Sequence, residues 1–237
     1  MLILAVDTSS PSGSLALLQD STILAHRASC GEPYSAGLLR DTQELLDGSR
    51  ISLQDIDLYA VDAGPGSFTG LRVGLTTVKG WAEVWQRPIA AVSGLEAMAI
   101  QAARSTAMGS AIASVLDARR GQIFGGIFRS REGKSAALDR IGDEVLATAD
   151  EFLQSLRAQL GEVRGLSIAC VSPEVIQPAL QRQGPGCCRI EVVSNELAPF
   201  IGQLGYAKSI RGDVVDALHL DANYIRRSDA EMNWRVG

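Results

Sequence analysis

Two aspartates and a glycine-rich run are the residues of this chain best suited to chemistry. Asp7 ends the apolar run Ile3-Leu4-Ala5-Val6 and is followed by Thr8 and Ser9; Asp117 follows Val115-Leu116 and precedes Ala118-Arg119-Arg120-Gly121. An aspartate closing a strand before small residues can hold magnesium beside a phosphate, or can simply bond its own turn backbone. Between the two lies Gly64-Pro65-Gly66-Ser67-Phe68-Thr69-Gly70-Leu71-Arg72-Val73-Gly74. Backbone amides at a helix start can cradle an anion. The candidate nucleotide or phosphate contacts are therefore Asp7, Thr8, Ser9, Gly64, Gly66, Ser67 and Asp117.

The spacing fits no standard loop. Gly64, Gly66 and Gly70 give G-x-G-x-x-x-G, one residue longer than a dinucleotide fingerprint, and Leu71-Arg72 stands where a P-loop needs Lys and then Ser or Thr. Ser67 has Pro65 and Thr69 where a nucleophile elbow needs glycines. A rigid loop that packs closely on neighbouring backbone explains these glycines as well as a ligand cradle does. His26 and His219 lie far apart in sequence, and Cys30, Cys170, Cys187 and Cys188 show no CxxC spacing. No metal site and no catalytic residue is assigned, and reduced thiols are expected.

These residues need elements to hold them. Short apolar runs at Leu2 to Asp7, Ser14 to Gln19 and Thr22 to Ala28 predict a meander, and Tyr34 to Leu46 has helical spacing with Leu38, Leu39, Leu45 and Leu46 on one side. A strand at Leu58 to Ala63, a helix from Leu71 to Trp85 ended by Pro88, and a helix capped by Ser93 and running to about Arg104 follow. The order then restarts: strands at Ala111 to Asp117 and Gln122 to Arg129, a looser one near Leu138 to Glu144, a helix Asp150 to Leu160, a strand Leu166 to Val171, and a helix after Pro173. Two hairpins with an aspartate closing the first strand, in halves of matching order, predict an internal duplication.

Composition narrows the function classes. The 237 residues are 46% hydrophobic, enough for a sizeable core, and the net charge of -5 provides no global field for a polyanion. Arg226, Arg227 and Arg235, set around Tyr224 and Trp234, are the local exception, read as a solvated tail or as a partner or RNA contact. The N-terminal run lacks a basic start and is broken by Asp7, and no apolar segment approaches the ~20 residues that span a membrane. A cytoplasmic protein without membrane contact is expected.

Ile3-Leu4-Ala5-Val6-Asp7-Thr8-Ser9, the Gly64 to Gly74 run, Asp117-Ala118-Arg119-Arg120-Gly121-Gln122 and Tyr224-Ile225-Arg226 together resemble the TsaB (YeaZ) family, in family order and over nearly the whole chain. The resemblance implies an α/β protein of the actin-like ATPase (ribonuclease H-like) fold, with two duplicated βββαβα subdomains. It implies an N-terminal subdomain at 1–105, a second at 106–195, and a C-terminal helix and tail at 196–237 that pack back on the first. It also implies a subunit of the bacterial machine that makes threonylcarbamoyladenosine in tRNA. Its expected partners are a TsaD-type catalytic subunit and a TsaE-type ATPase; it forms a homodimer when alone and reaches tRNA through the complex. No helix here carries the H-x-x-x-H pair of the catalytic relative, so no cofactor is required by this chain, although ATP or ADP with magnesium could bind in the complex. Tyr34 stands where many relatives have histidine, Ala222 where they have proline, and Cys170-Val171-Ser172-Pro173 lacks the glycine pair of nucleotide-binding members.

The helix after the glycine run has more apolar surface than one sheet can cover. At about 100° per residue, Arg72, Thr76, Lys79, Glu83 and Gln86 share a polar arc, Leu71, Leu75, Val78, Ala82 and Trp85 form one stripe, and Val73, Thr77, Trp81 and Val84 form another. The remaining apolar side must meet another helix, either the Tyr34 to Leu46 helix or one from a second chain. By the resemblance, which implies a four-helix interface, the expected partner residues are Tyr34, Leu38, Leu45, Leu71, Gly74, Leu75, Val78 and Trp81. A phosphotransferase using Asp7 and Asp117, and a homodimer that senses nucleotide at the glycine loop, are the competing readings.

Overall fold

The computed structural model describes residues 1–29, 34–107, 109–130, 138–161, 165–183 and 188–225. Cys30, Cys187 and the tail residues Arg226, Arg227, Trp234 and Arg235 lie outside the described residues.

The first half runs β1 (Leu2–Asp7), β2 (Ser14–Gln19), β3 (Thr22–Ala28), α1 (Tyr34–Ser49), β4 (Leu58–Gly64), α2 (Phe68–Trp85), β5 (Ile89–Ser93) and α3 (Gly94–Ala103). The second runs β6 (Ala111–Arg119), β7 (Gln122–Ser130), β8 (Leu138–Arg140), β9 (Val145–Ala147), α4 (Ala149–Leu160), β10 (Leu166–Cys170), α5 (Gln177–Gln183) and β11 (Cys188–Val192), and α6 (Ala198–Ile210) follows. The first sheet has the order β3-β2-β1-β4-β5 and the second β8-β7-β6-β10-β11, with β9 also on β7. In both, the first two strands are antiparallel and the later strands join the first in parallel. This is the duplicated actin-like, ribonuclease H-like fold.

Both faces of the first sheet are covered, which is why β1, β2 and β4 are near-continuous apolar runs. Ile3, Ala5, Ala16, Leu18, Leu58 and Ala60 face one core, whereas Leu4, Val6, Leu15, Leu17, Tyr59 and Val61 face the other, with α1 and α2. Helix α3 buries Leu95, Ala97, Met98, Ala99, Ile100 and Ala102. A helix so apolar on every side must be enclosed, and α3 lies between the halves, packing on β6, β7 and β10 as well as on β4, β5 and α6. Helix α6 closes the corresponding face of the first sheet, on β1, β2, β4 and β5. The two halves thus share one core, which also holds Ile112, Phe128 and Ala169.

Several elements differ from the sequence expectation. Helix α1 extends to Ser49 and α2 begins at Phe68. The looser strand near Leu138 splits into β8 and β9 around Gly142, whose φ of +70° turns the chain. Leu39 is 63% exposed, whereas Leu38, Leu45 and Leu46 are buried. Among the described residues, no helix is long and apolar enough to cross a membrane.

Candidate functional site

The glycine run is where the first half's elements converge. Strand β4 ends at Gly64, whose φ of +109° only glycine adopts without strain. Ser67 then caps α2, its hydroxyl accepting from the Gly70 amide at 3.3 Å. Gly66, Gly70 and Gly74 recur every four residues, and they fall on the side that meets the turn after β1. A methyl group at Gly66 would sit 2.6 Å from the Ser9 carbonyl oxygen, at Gly70 2.0 Å from that of Thr8, and at Gly74 2.3 Å from the Thr8 hydroxyl. Two hydrogen bonds use the resulting contact: the Ser67 amide donates to the Ser9 carbonyl at 2.7 Å, and the Thr8 hydroxyl donates to the Gly70 carbonyl at 2.8 Å. Beside this stripe Leu71, Leu75 and Val78 enter the core, each stabilising the helix on its sheet by about 2 kcal/mol.

The helix thereby covers Thr8, whereas the Asp7 side chain lies on the opposite face of the sheet, with Ile3 and Ala5 on the side of α3 and α6, and is 1% exposed. Its Oδ1 accepts from the Ser9 amide at 2.9 Å and the Ser9 hydroxyl at 2.8 Å, and its Oδ2 has no hydrogen-bond partner. Asp62 on β4 is buried beside it; its Oδ1 accepts from the Gly64 amide at 2.7 Å and its Oδ2 is likewise unpartnered. Burial pushes the Asp7 carboxyl up to about 6 against the opposing hydrogen bonds from Ser9. Burial, and then the charge of Asp7, hold Asp62 well above the usual carboxylate range. Two adjacent carboxyls in a dry site titrate as a pair that keeps a proton.

Asp117 has the opposite surroundings. Its side chain is 38% exposed, its Oδ1 accepts from the Arg119 amide at 2.7 Å, and its Oδ2 lies 3.4 Å from the Arg119 guanidinium. It lines a cleft of about 1060 Å³ between the halves, with Ser9 to Ser12, Pro65 to Thr69, the Val115 to Arg120 turn, Val171, Ser172, Glu174, and Asn223 to Ile225. Of the expected phosphate contacts, Ser9, Gly66, Ser67 and Asp117 reach this cleft. Thr8 does not, because α2 lies on it, Asp7 does not, because it is buried beside Asp62 on the opposite face of the sheet, and Gly64 lies under the Asn223 carbonyl and Leu71. The two aspartates do not face each other across the cleft. Among the described residues, no group of three or more His, Cys, Asp and Glu could hold a metal ion.

The expected partner residues also need correction. Leu38, Leu45, Leu71, Leu75 and Val78 belong to the core cluster with Leu4, Val6 and Tyr59, and Gly74 is buried on Thr8. They pack inside the chain and present no surface. Trp81 is half-buried, its ring 5.9 Å from that of Tyr59. The apolar side chains that α1 and α2 show to solvent are Leu39, Val84 and Trp85, with Val84 70% exposed. Tyr34 is a structural clasp: its hydroxyl accepts from the Gly13 amide and donates to the Ser10 carbonyl, pinning the turn between β1 and β2.

Three features of the site escaped the sequence reading. Asp62 carried a signal, an acid inside the apolar run Leu58 to Ala63. Glu144 and Asn223 carried none, since their side chains meet only in the folded chain, at 2.6 Å. Phe68 and Tyr224 line the cleft with their rings 5.1 Å apart, and the Arg72 guanidinium covers Phe68 at 3.8 Å.

The protein-family model of TsaD, tRNA N6-adenosine threonylcarbamoyltransferase, matches residues 30–168, more than half of the chain. The chain belongs to the TsaD family, in its TsaB (YeaZ) branch. The tRNA threonylcarbamoyladenosine biosynthesis protein TsaB of Bacillus subtilis is 29% identical over 99% of this chain and 98% of its own length. TsaB of Escherichia coli is 38% identical over 52% of this chain and 53% of its own length. A crystal structure from Pseudomonas aeruginosa, described as an uncharacterized protein with similarity to peptidase YEAZ, has a TM-score of 0.77 at 24% identity, covering 95% of this chain and 99% of that one. That likeness carries the YeaZ fold onto this branch member.

Proposed function

We infer that this TsaB-branch protein takes part in tRNA threonylcarbamoyladenosine biosynthesis, and we propose that it does so as a noncatalytic scaffold subunit. In this reading it pairs with a TsaD-type catalytic subunit, a TsaE-type ATPase joins the assembly, and the chain dimerises with itself when alone. It meets tRNA through the complex, and ATP or ADP with magnesium belongs to the assembly. Its work is to favour the partner's active arrangement by binding that state more tightly.

One observation carries the reading: Asp7 is buried beside Asp62 on the α3 and α6 face of the first sheet, while α2, seated on Thr8 and Ser9 by its glycine stripe, keeps Val84 exposed on its outer side. One of two candidate phosphate-handling aspartates is thus out of the cleft, and α2 offers apolar surface outward. A phosphotransferase needs the reverse, an open aspartate pair around the phosphate.

Reconstitution tests the proposal. Modification of tRNA by TsaD-type and TsaE-type partner proteins should fall at least ten-fold when this chain is omitted, and equal modification without it would overturn the scaffold role. Calorimetry adds a second discriminator: tight binding of magnesium-ATP by the chain alone would favour a phosphotransferase.

A further inference from the structure

Glu144 lies in the connection between β8 and β9, on the second half, yet its carboxylate bonds to the first. Oε1 accepts from the Ser93 hydroxyl, and Oε2 accepts from the Asn223 side-chain amide at 2.6 Å. Ser93 is the cap of α3, the helix enclosed between the halves. Asn223 belongs to the segment that follows α6 and runs back along the first sheet, where Val215 bridges to Ile89 and Leu220 enters the core. Its backbone amide donates to the Ala63 carbonyl at 2.7 Å, directly before the glycine run, and its carbonyl covers Gly64. The next residue, Tyr224, stacks on Phe68 in the first turn of α2 and accepts from Arg72 Nε at 3.3 Å.

A continuous set of contacts therefore leads from the second half to the start of α2. Burial raises the Glu144 carboxyl, and the bonds from Ser93 and Asn223 oppose that rise. Hydrogen bonds to a half-buried carboxylate are stronger than neutral ones and costly to leave unmade. Each link is a packed or hydrogen-bonded contact of the kind that can carry coupling between sites.

We propose that Glu144 is a positioning residue that latches the second half to the 213–225 segment and, through Asn223 and Tyr224, holds the first turn of α2 in place. The opening of the cleft and the seating of α2 are then one variable. The coupling stands apart from the scaffold reading, because it belongs to the chain alone and is measured without any partner.

Amide hydrogen exchange on the full chain tests it, since exchange resolves local opening. Glu144→Ala should speed exchange at least ten-fold both in 220–225 and in the 64–72 segment. Glu144→Gln should remain close to wild type, because its amide can donate to the Ser93 hydroxyl while its oxygen still accepts from Asn223. Asn223→Ala should reproduce the Glu144→Ala pattern, and it keeps the test decisive if Glu144→Ala does not fold. The double variant should exchange no faster than either single one. Faster exchange confined to 138–147, a Gln variant as open as the Ala variant, or additive effects in the double variant would overturn the latch.

Discussion

Asp7 and Asp117 stand near the end of the first strand of matching hairpins, but the shared core buries the one and solvent reaches the other. The connections after the two strands differ as well. Hairpin one spans residues 8–13 between Asp7 and Ser14, long enough for Thr8 and Ser9 to lie against Gly66, Gly70 and Gly74. Hairpin two closes with Arg120-Gly121 between Arg119 and Gln122, and both turn residues have positive φ, as the tightest hairpin turns require. In the second half β10 is followed by Val171, Ser172 and a short turn at Pro173–Val175, which line the cleft with Asp117. Duplication supplied two similar frames. Packing of α3 and α6 on the first sheet gave that half a buried acid pair, and the second kept an open turn.

The sharpest way to break this contrast is to give α2 a side chain where it touches the hairpin. Gly70→Ala places a methyl 2.0 Å from backbone that cannot move independently, so it should destabilise the chain by about 3 kcal/mol or more in denaturant unfolding. Unchanged stability would mean that the glycine stripe is not a packing device. Gly121, with nothing near its missing side chain, is a poor control, because its φ of +73° strains any other residue.

The acid pair predicts a smaller, pH-dependent effect. The folded Asp7 carboxyl at about 6 exceeds its ordinary 3.8, so the folded state holds the extra proton between those values. Stability is then fully present below about 4 and declines as pH rises through about 6, further for the raised Asp62. Asp62→Asn keeps an acceptor for the Gly64 amide and supplies a donor toward Asp7. It should add on the order of 1–3 kcal/mol at pH 8 and little at pH 4. A Tm profile from pH 4 to 8 with the wild-type slope in the variant would contradict the pair. The smallest of the three effects is Tyr34→Phe, which leaves the Gly13 amide and Ser10 carbonyl without their shared hydroxyl and should cost about 1–2 kcal/mol in thermal unfolding.

Much of the frame was legible because each half declares itself by local pattern. Apolar runs ending in an acid mark β1 and β6, Ser93 caps α3 as expected, and the repeated order exposes the duplication. Strand β11 was not legible, since Arg189 and Glu191 alternate with half-buried residues on a sheet edge. The site was read only in part. The spacing ruled out standard phosphate loops, but the partners of Gly66, Gly70 and Gly74 are Thr8 and Ser9, more than fifty residues away, and periodicity within α2 cannot name them. For the same reason the apolar stripe Leu71, Leu75 and Val78 was assigned to a partner when its own sheet uses it. Val84 from the second stripe and Trp85 from the first are what α2 leaves exposed.

The central claim is that this chain works through the outer face of α2 and not through the cleft. The affinity of the chain for a TsaD-type partner, measured by calorimetry for Val84→Glu and Asp117→Ala, tests it most directly. Both side chains are exposed, so both variants should fold. A ten-fold or greater loss for Val84→Glu, with Asp117→Ala within two-fold of wild type, is the predicted result; full affinity in Val84→Glu, or a loss confined to Asp117→Ala, would contradict the account.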